Sequence, residues 1–261
     1  MILILAGTSD SYQLIEGLIN AGVNLIAAVT TAYGKKLIKD KFEIKVLRKR
    51  MDQNDIYSLI KKEKISVVVD STHPFAEKIT ENAVRATAAA GAEYIRYERK
   101  TVDLSQYQNT KVEIIKASDY EQAAEMAADF EKIFLTTGSK NIEVFINQIP
   151  NFEKRLFMRI MTFPDFIKKI IDLGLPPANL IAAKGPFTKE FNQALFKEYG
   201  ADVIITKASG DNGGLKTKIE AAAELGIAVI VIQRPQINYP LVFNDHHNLI
   251  EYIKSSDKIE V

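Results

Sequence analysis

The chain has 261 residues, no cysteine and a formal net charge of +1, from 34 Lys and Arg against 33 Asp and Glu. Hydrophobic residues make up 47% and charged residues 26%, the balance of a globular protein with one large or two compact domains. These figures exclude disulfides, zinc–thiolate and iron–sulfur sites and a thiol nucleophile, and they leave no bulk basic field for nucleic acid.

In chain order, the apolar run at 2–6 predicts a central strand covered on both faces. It is too short for a signal-peptide core and has no basic leader, and no segment has the apolar length of a membrane span, so a cytoplasmic location is expected. A helix over 9–21 follows, with Leu14, Ile15, Leu18 and Ile19 at helical spacing and Gly22 as its stop. Strands over 24–30 and 42–47 come next, and Asp52 is placed to cap a helix reaching 64. A strand over 65–70, a helix over 74–91 opened by Pro74, and a strand over 93–97 complete a βα series. The mixed-charge stretch 98–110 reads as a domain junction. Beyond it, strands are predicted over 112–115, 133–136, 155–160, 179–183, 203–206 and 228–232. Helices over 118–130, 141–149, 164–173, 188–199 and 215–225 fall between them, and a last helix over 244–254 can pack on either half. The pattern predicts an α/β chain of two mainly parallel domains, 1–100 and 101–261.

Six of these strands run into short polar loops. In parallel sheets, ligands bind just beyond the carboxyl ends of the strands, where backbone N–H groups and helix N-termini favour anions. The first loop, Gly7-Thr8-Ser9-Asp10-Ser11, has the strand, glycine and helix start that a pyrophosphate needs, but G-x-G-x-x-G is incomplete and a tight turn is the alternative. The second carries Thr30-Thr31 and then Lys35-Lys36, with no acid for a ribose diol, which suits a 2′-phosphate or simply a solvated helix start. In Asp70-Ser71-Thr72-His73-Pro74 a hydroxyl can cap the next helix, and His73 can serve as an acid or a donor. Thr136-Thr137-Gly138-Ser139-Lys140 and Lys184-Gly185-Pro186-Phe187-Thr188 are further loops of this kind. Lys207-Ala208-Ser209-Gly210-Asp211-Asn212-Gly213-Gly214 is the most specific, with three glycines and a hydroxyl after a buried strand and Lys207 at its entry. No Walker A loop and no G-x-S-x-G elbow occurs. With three histidines and no cysteine, a dedicated metal site is not expected, and His246 and His247 read as the start of a solvated helix.

Gly7-Thr8-Ser9-Asp10, Asp70-Ser71-Thr72-His73-Pro74-Phe75-Ala76, Thr137-Gly138-Ser139-Lys140, Ala183-Lys184-Gly185-Pro186-Phe187, Lys207-Ala208-Ser209-Gly210, Gly213-Gly214, Lys216, Glu220-Ala221-Ala222 and Arg234-Pro235 together resemble the precorrin-6A reductase family. This chain departs from it in lacking a second small residue in the first loop and in carrying Ala208 where a polar residue is common. The resemblance implies an NADPH- or NADH-dependent oxidoreductase of cobalamin biosynthesis. Such an enzyme reduces one double bond of the tetrapyrrole precorrin-6A, or its cobalt form, to precorrin-6B. It also implies two Rossmann-like domains with the active site in the cleft between them.

On that reading Gly7, Thr8, Ser9, Asp10, Thr30, Thr31, Thr137, Gly138, Ser139, Lys207, Ser209 and Gly210 are expected to hold the cofactor. Ser71, Thr72, His73, Arg96, Lys184, Gly185, Pro186, Gly213 and Gly214 are expected to hold the substrate, with His73 or water as proton donor. A macrocycle fringed with carboxylates needs several cations, and Arg96, Arg99, Arg159, Lys184, Lys207 and Arg234 lie at or just after predicted strand ends. No nucleic acid or membrane partner is expected. The alternative from another class is a non-catalytic two-domain α/β protein that binds a small anion.

Overall fold

The computed structural model describes residues 1–107, 112–210 and 213–256. Part of the expected junction, 108–110, and Asp211 and Asn212 of the glycine-rich loop lie outside the described residues. The chain divides into two compact units, Met1–Lys100 with Gln236–Val261, and Thr101–Pro235.

In the first unit, β1 (Ile2–Ala6), α1 (Asp10–Asn20), β2 (Leu25–Val29), α2 (Ala32–Lys41), β3 (Lys45–Arg48), α3 (Gln53–Glu63), β4 (Val67–Ser71), α4 (Glu77–Ala90) and β5 (Glu93–Tyr97) alternate without interruption. In the second, β6 (Ile114–Ala117), α5 (Tyr120–Ala127), β7 (Ile133–Leu135), α6 (Ile142–Gln148), α7 (Phe152–Arg155), β8 (Leu156–Ile160) and α8 (Pro164–Asp172) lead to β9 (Leu180–Ala182), α9 (Lys189–Glu198), β10 (Val203–Lys207), α10 (Leu215–Leu225) and β11 (Ala228–Ile232). The chain then contributes β12 (Val242–Phe243) and α11 (His246–Ser255) to the first unit. The expected second range of 101–261 therefore ends at Pro235, because the apolar stripe of α11, Leu249, Ile250 and Ile253, buries itself in the core beside Leu14, Ile15 and Leu18 of α1.

The sheets run β12-β5-β4-β1-β2-β3 and β6-β11-β10-β7-β8-β9, and every pairing is parallel. Both follow the doubly wound path, with strand order reversing between β1 and β4 in one sheet and between β7 and β10 in the other. One strand is exchanged: the strand that follows β5 in the chain, β6, lies at the edge of the second sheet, and the strand that follows β11, β12, lies at the edge of the first. Side chains alternate through β1, with Ile2, Ile4 and Ala6 in the core shared with α1 and α11, and Leu3 and Leu5 in the core shared with α3 and α4.

Local chemistry sets the element ends. The Asp52 carboxylate accepts from the Asp55 N–H at 2.9 Å while the Asp55 carboxylate accepts from the Asp52 N–H at 3.3 Å, a complete capping box on α3. Asp52→Ala is expected to lower stability by about 1 kcal/mol in urea unfolding, and a loss below ~0.3 kcal/mol would show the box to be idle. Helix α2, for which the sequence suggests a start near Lys35-Lys36 but no bounds, begins because the Thr31 hydroxyl accepts from the Gly34 N–H at 3.0 Å. Helix α4 begins at Glu77 and not at Pro74, since 73–76 form a turn in which the Ala76 N–H donates to the His73 carbonyl at 2.8 Å.

Candidate active site

Of the expected residues of the first unit, Gly7, Thr8, Ser9, Asp10, Ser71, Thr72 and His73 lie at or just beyond the ends of β1 and β4, at the switch point between them. Gly7 faces the loop after β4 so closely that a Cβ there would lie 3.1 Å from Thr72 Cα, which is why the position takes glycine. The Thr8 hydroxyl donates to the Ser71 carbonyl at 3.3 Å, and the Ser11 and Ser71 hydroxyls share a hydrogen bond of 2.8 Å. The amides of Thr8 and Ser9 have no partner among the described residues, so the start of α1 offers N–H groups beside an exposed Gly7. Asp10 is buried at this helix start and pairs with Arg99 at 3.1 Å. It also accepts from the Thr8 hydroxyl, so its carboxylate braces the loop. Thr30 and Thr31 lie exposed at the end of the neighbouring β2, with the Thr31 hydroxyl committed to its cap.

Arg96 was expected to meet a substrate carboxylate; its guanidinium is instead turned inward, at 1% exposure. It pairs at 2.9 Å with Asp70, which is fully buried. Asp70 also accepts from the Thr72 N–H and hydroxyl at 2.9 and 2.7 Å, the Thr80 hydroxyl at 2.6 Å and the Tyr94 hydroxyl at 2.9 Å. Arg96 in turn donates to the Thr72 carbonyl at 3.1 Å. The reason is the strand itself: β5 is covered on both faces, and a charge there persists only if paired. Burial opposes the Arg96 charge, but Asp70 and Glu98 override it and hold the guanidinium above its ordinary value. Burial, reinforced by Asp70, raises the Tyr94 phenol. This network fixes Thr72 and thereby His73, which is half-buried and whose Nδ1 accepts from the Phe75 N–H at 3.2 Å. That bond assigns the proton of the neutral ring to Nε2.

In the second unit, Thr137, Gly138 and Ser139 follow β7, while Lys207 ends β10 and Ser209 and Gly210 follow it, so these expected positions flank one switch point. Thr137 and Ser209 are buried, and the Ser139 carbonyl accepts from Lys169 at 3.4 Å. Lys184, Gly185 and Pro186 follow β9, with a cis Gly185–Pro186 bond, and Gly213 and Gly214 lead into α10. Phe187 places its ring 3.8 Å from the Arg159 guanidinium carbon. Arg159, at the end of β8 and 6% exposed, donates once, from Nη1 to Asn192 Oδ1 at 3.0 Å. Its Nε and Nη2 donate to no protein atom among the described residues.

Lys218 was not singled out in the sequence, yet it is 8% exposed and its Nζ donates to the Thr206 hydroxyl at 3.3 Å and the Gly213 carbonyl at 3.1 Å. Its signal was position: Leu215, Lys218, Ile219 and Ala222 share one helical stripe, whereas Lys216 faces Glu220 on the exposed side. Neither Arg159 nor Lys218 pairs with a carboxylate among the described residues. Burial lowers Arg159 to about 10. Burial, then Arg159 and Lys207, lowers Lys218 to about 7, and burial with Lys140 lowers Lys207 to about 8. Arg159 and Lys218, buried and without a carboxylate partner among the described residues, suit an incoming anion.

Among the described residues no cluster of three or more His, Asp or Glu could hold a metal ion, and no helix is long and apolar enough to cross a membrane. The family model of the precorrin-6x reductases CbiJ/CobK matches residues 1–254. A cobalt-precorrin-6A reductase of Priestia megaterium is 40% identical over 96% of both chains, and one of Methanocaldococcus jannaschii is 35% identical over 97% of both. A precorrin-6A reductase of Mycobacterium tuberculosis is 35% identical over 67% of this chain and 66% of its own. A solved structure of CobK precorrin-6A reductase, 21% identical, shares the fold with a TM-score of 0.77 over 97% of this chain and 95% of that one. With a match along nearly its whole length, the chain belongs to the precorrin-6x reductase family and is an oxidoreductase acting on a CH–CH group.

Proposed function

We propose that the protein uses NADH or NADPH to reduce one double bond of cobalt-precorrin-6A, giving cobalt-precorrin-6B, as a cytoplasmic step of cobalamin biosynthesis. The observation that carries the reading is the second unit's buried cations, Arg159 and Lys218, with no acid partner among the described residues beside the half-buried Lys207. A macrocycle with a carboxylate rim supplies the missing negative charge. Relatives named for the cobalt form match this chain along nearly all their length, which favours the cobalt substrate.

The first unit suits the nicotinamide dinucleotide. Unpartnered amides at Thr8 and Ser9 and the close Gly7–Thr72 approach give a pyrophosphate a place to dock. When bound, the cofactor supplies the hydride. The protein's part is to hold the reacting carbon near it and to provide a proton, for which His73 Nε2 is the candidate donor. At the end of β2 there is neither an acid to repel a 2′-phosphate nor a buried cation built to take one. Turnover with NADH and NADPH is therefore expected to agree within about tenfold, read from nicotinamide absorbance with the tetrapyrrole present. If neither cofactor is oxidised, the reading falls. His73→Ala is expected to lower kcat by about 100-fold, and unchanged turnover would remove His73 as the donor.

A further inference from the structure

Lys218 is a buried cation of the second unit with no carboxylate beside it among the described residues. Among the described residues its amine meets neutral acceptors alone, the Thr206 hydroxyl of β10 and the Gly213 carbonyl ahead of α10. Among the described residues the charged groups that act on it are alike in sign: Arg159 from β8 and Lys207 from β10, with Lys140 after β7 acting on Lys207. Between α9 and α10 the neutral Asn192 and Thr217 are joined at 3.4 Å, while Glu220 and Glu224 of α10 are spent on Lys216 and Lys189 at the surface. Arginine keeps its proton under all such conditions, whereas a buried lysine can release one. In the free protein, loss of the Lys218 proton is thus the available relief of the like-charge crowding.

We propose that docking of a substrate carboxylate against Arg159 and Lys218 draws a proton from solvent onto Lys218 Nζ, so that this lysine is fully charged only when the site is filled. No covalent bond changes: the amine gains H⁺, and the ammonium so formed pairs with the incoming carboxylate. The proposal rests on the assignment of the macrocycle's carboxylates to the second unit. It makes Lys218 a residue that selects an anionic ligand while costing the empty protein little crowding. It also sets a direction for pH: Lys218 in the free protein is lowered to about 7, so below that the proton is already present and above it binding must recruit one.

The test is calorimetric titration of the intact protein with cobalt-precorrin-6A, without nicotinamide, in buffers of different ionisation heat. Uptake of about one proton per macrocycle is expected near pH 8, falling towards none near pH 6. Lys218→Met is expected to abolish the uptake and weaken binding, and Lys218→Arg to bind with no uptake, a pattern that a merely structural lysine does not produce. Buffer-independent binding heats in the wild-type protein at pH 8, or uptake that survives in Lys218→Met, would overturn the proposal and leave the proposed reaction standing. Failure of the wild-type protein to bind the macrocycle at any pH would overturn both.

Discussion

Asp70→Ala is expected to destabilise the first unit by about 3–5 kcal/mol, the cost of leaving a buried charge without its partner. The loss reaches further than one ion pair, because the same carboxylate accepts from Thr72, Thr80 and Tyr94 as well as from Arg96. Arg96→Met is expected to cost less, since Asp70 then keeps its hydroxyl and amide donors. At roughly 2–4 °C per kcal/mol for chains of this size, Asp70→Ala should lower Tm by about 10 °C in a circular-dichroism melt. A fall of less than ~2 °C, or a larger effect from Arg96→Met, would refute the picture of Asp70 as the hub. The network also fixes Thr72 against Gly7, so any of the variant that remains folded should bind the nicotinamide cofactor more weakly.

Arg159→Met is expected to raise KM for the tetrapyrrole by roughly tenfold to a hundredfold, the loss of about 1.5–3 kcal/mol from a charged hydrogen bond to carboxylate. Stability should move by no more than ~1 kcal/mol. The variant loses the Asn192 hydrogen bond and the Phe187 ring contact, but it also loses a buried positive charge that crowds Lys218. With one like charge gone, Lys218 should be less depressed, and the pH at which binding begins to weaken should rise. The sign follows from linkage: a lysine whose folded value lies near 7 and whose unfolded value lies near 10.5 favours folding increasingly as pH rises between them. Arg159→Met should flatten that rise, measurable as Tm against pH. An unchanged KM would remove Arg159 from the substrate site.

Much of the fold was legible because parallel strands covered on both faces write themselves as apolar runs. Ile2–Ala6 and Ala228–Ile232 were predicted with their observed ends. Strand β12 was not, since two residues behind Pro235 and Pro240 carry no period, and they are held by the ladder to β5 and the packing of Phe243 on Tyr252. The short helix α7 falls almost wholly between the predicted helix ending at 149 and the predicted strand starting at 155, too short to show a period of its own. For the site, the loops could be read but the direction of a charge could not. Arg96 and Arg159 look alike as cations at strand ends, yet one is closed off by Asp70 and the other keeps donors unspent. Lys218 lay in plain view on an apolar stripe, where a lysine is a sign of burial more than of solvent.

The exchange of edge strands has a consequence for how the molecule is made. Residues 1–100 are synthesised with the margin of β5 bare and the place of α11 unfilled, and the pieces that close them are encoded after Pro235. A polypeptide stopped at the apparent boundary would carry an open β margin and an exposed apolar trough, the features that invite self-association. Completion of the first unit must therefore await synthesis of the segment that carries β12 and α11.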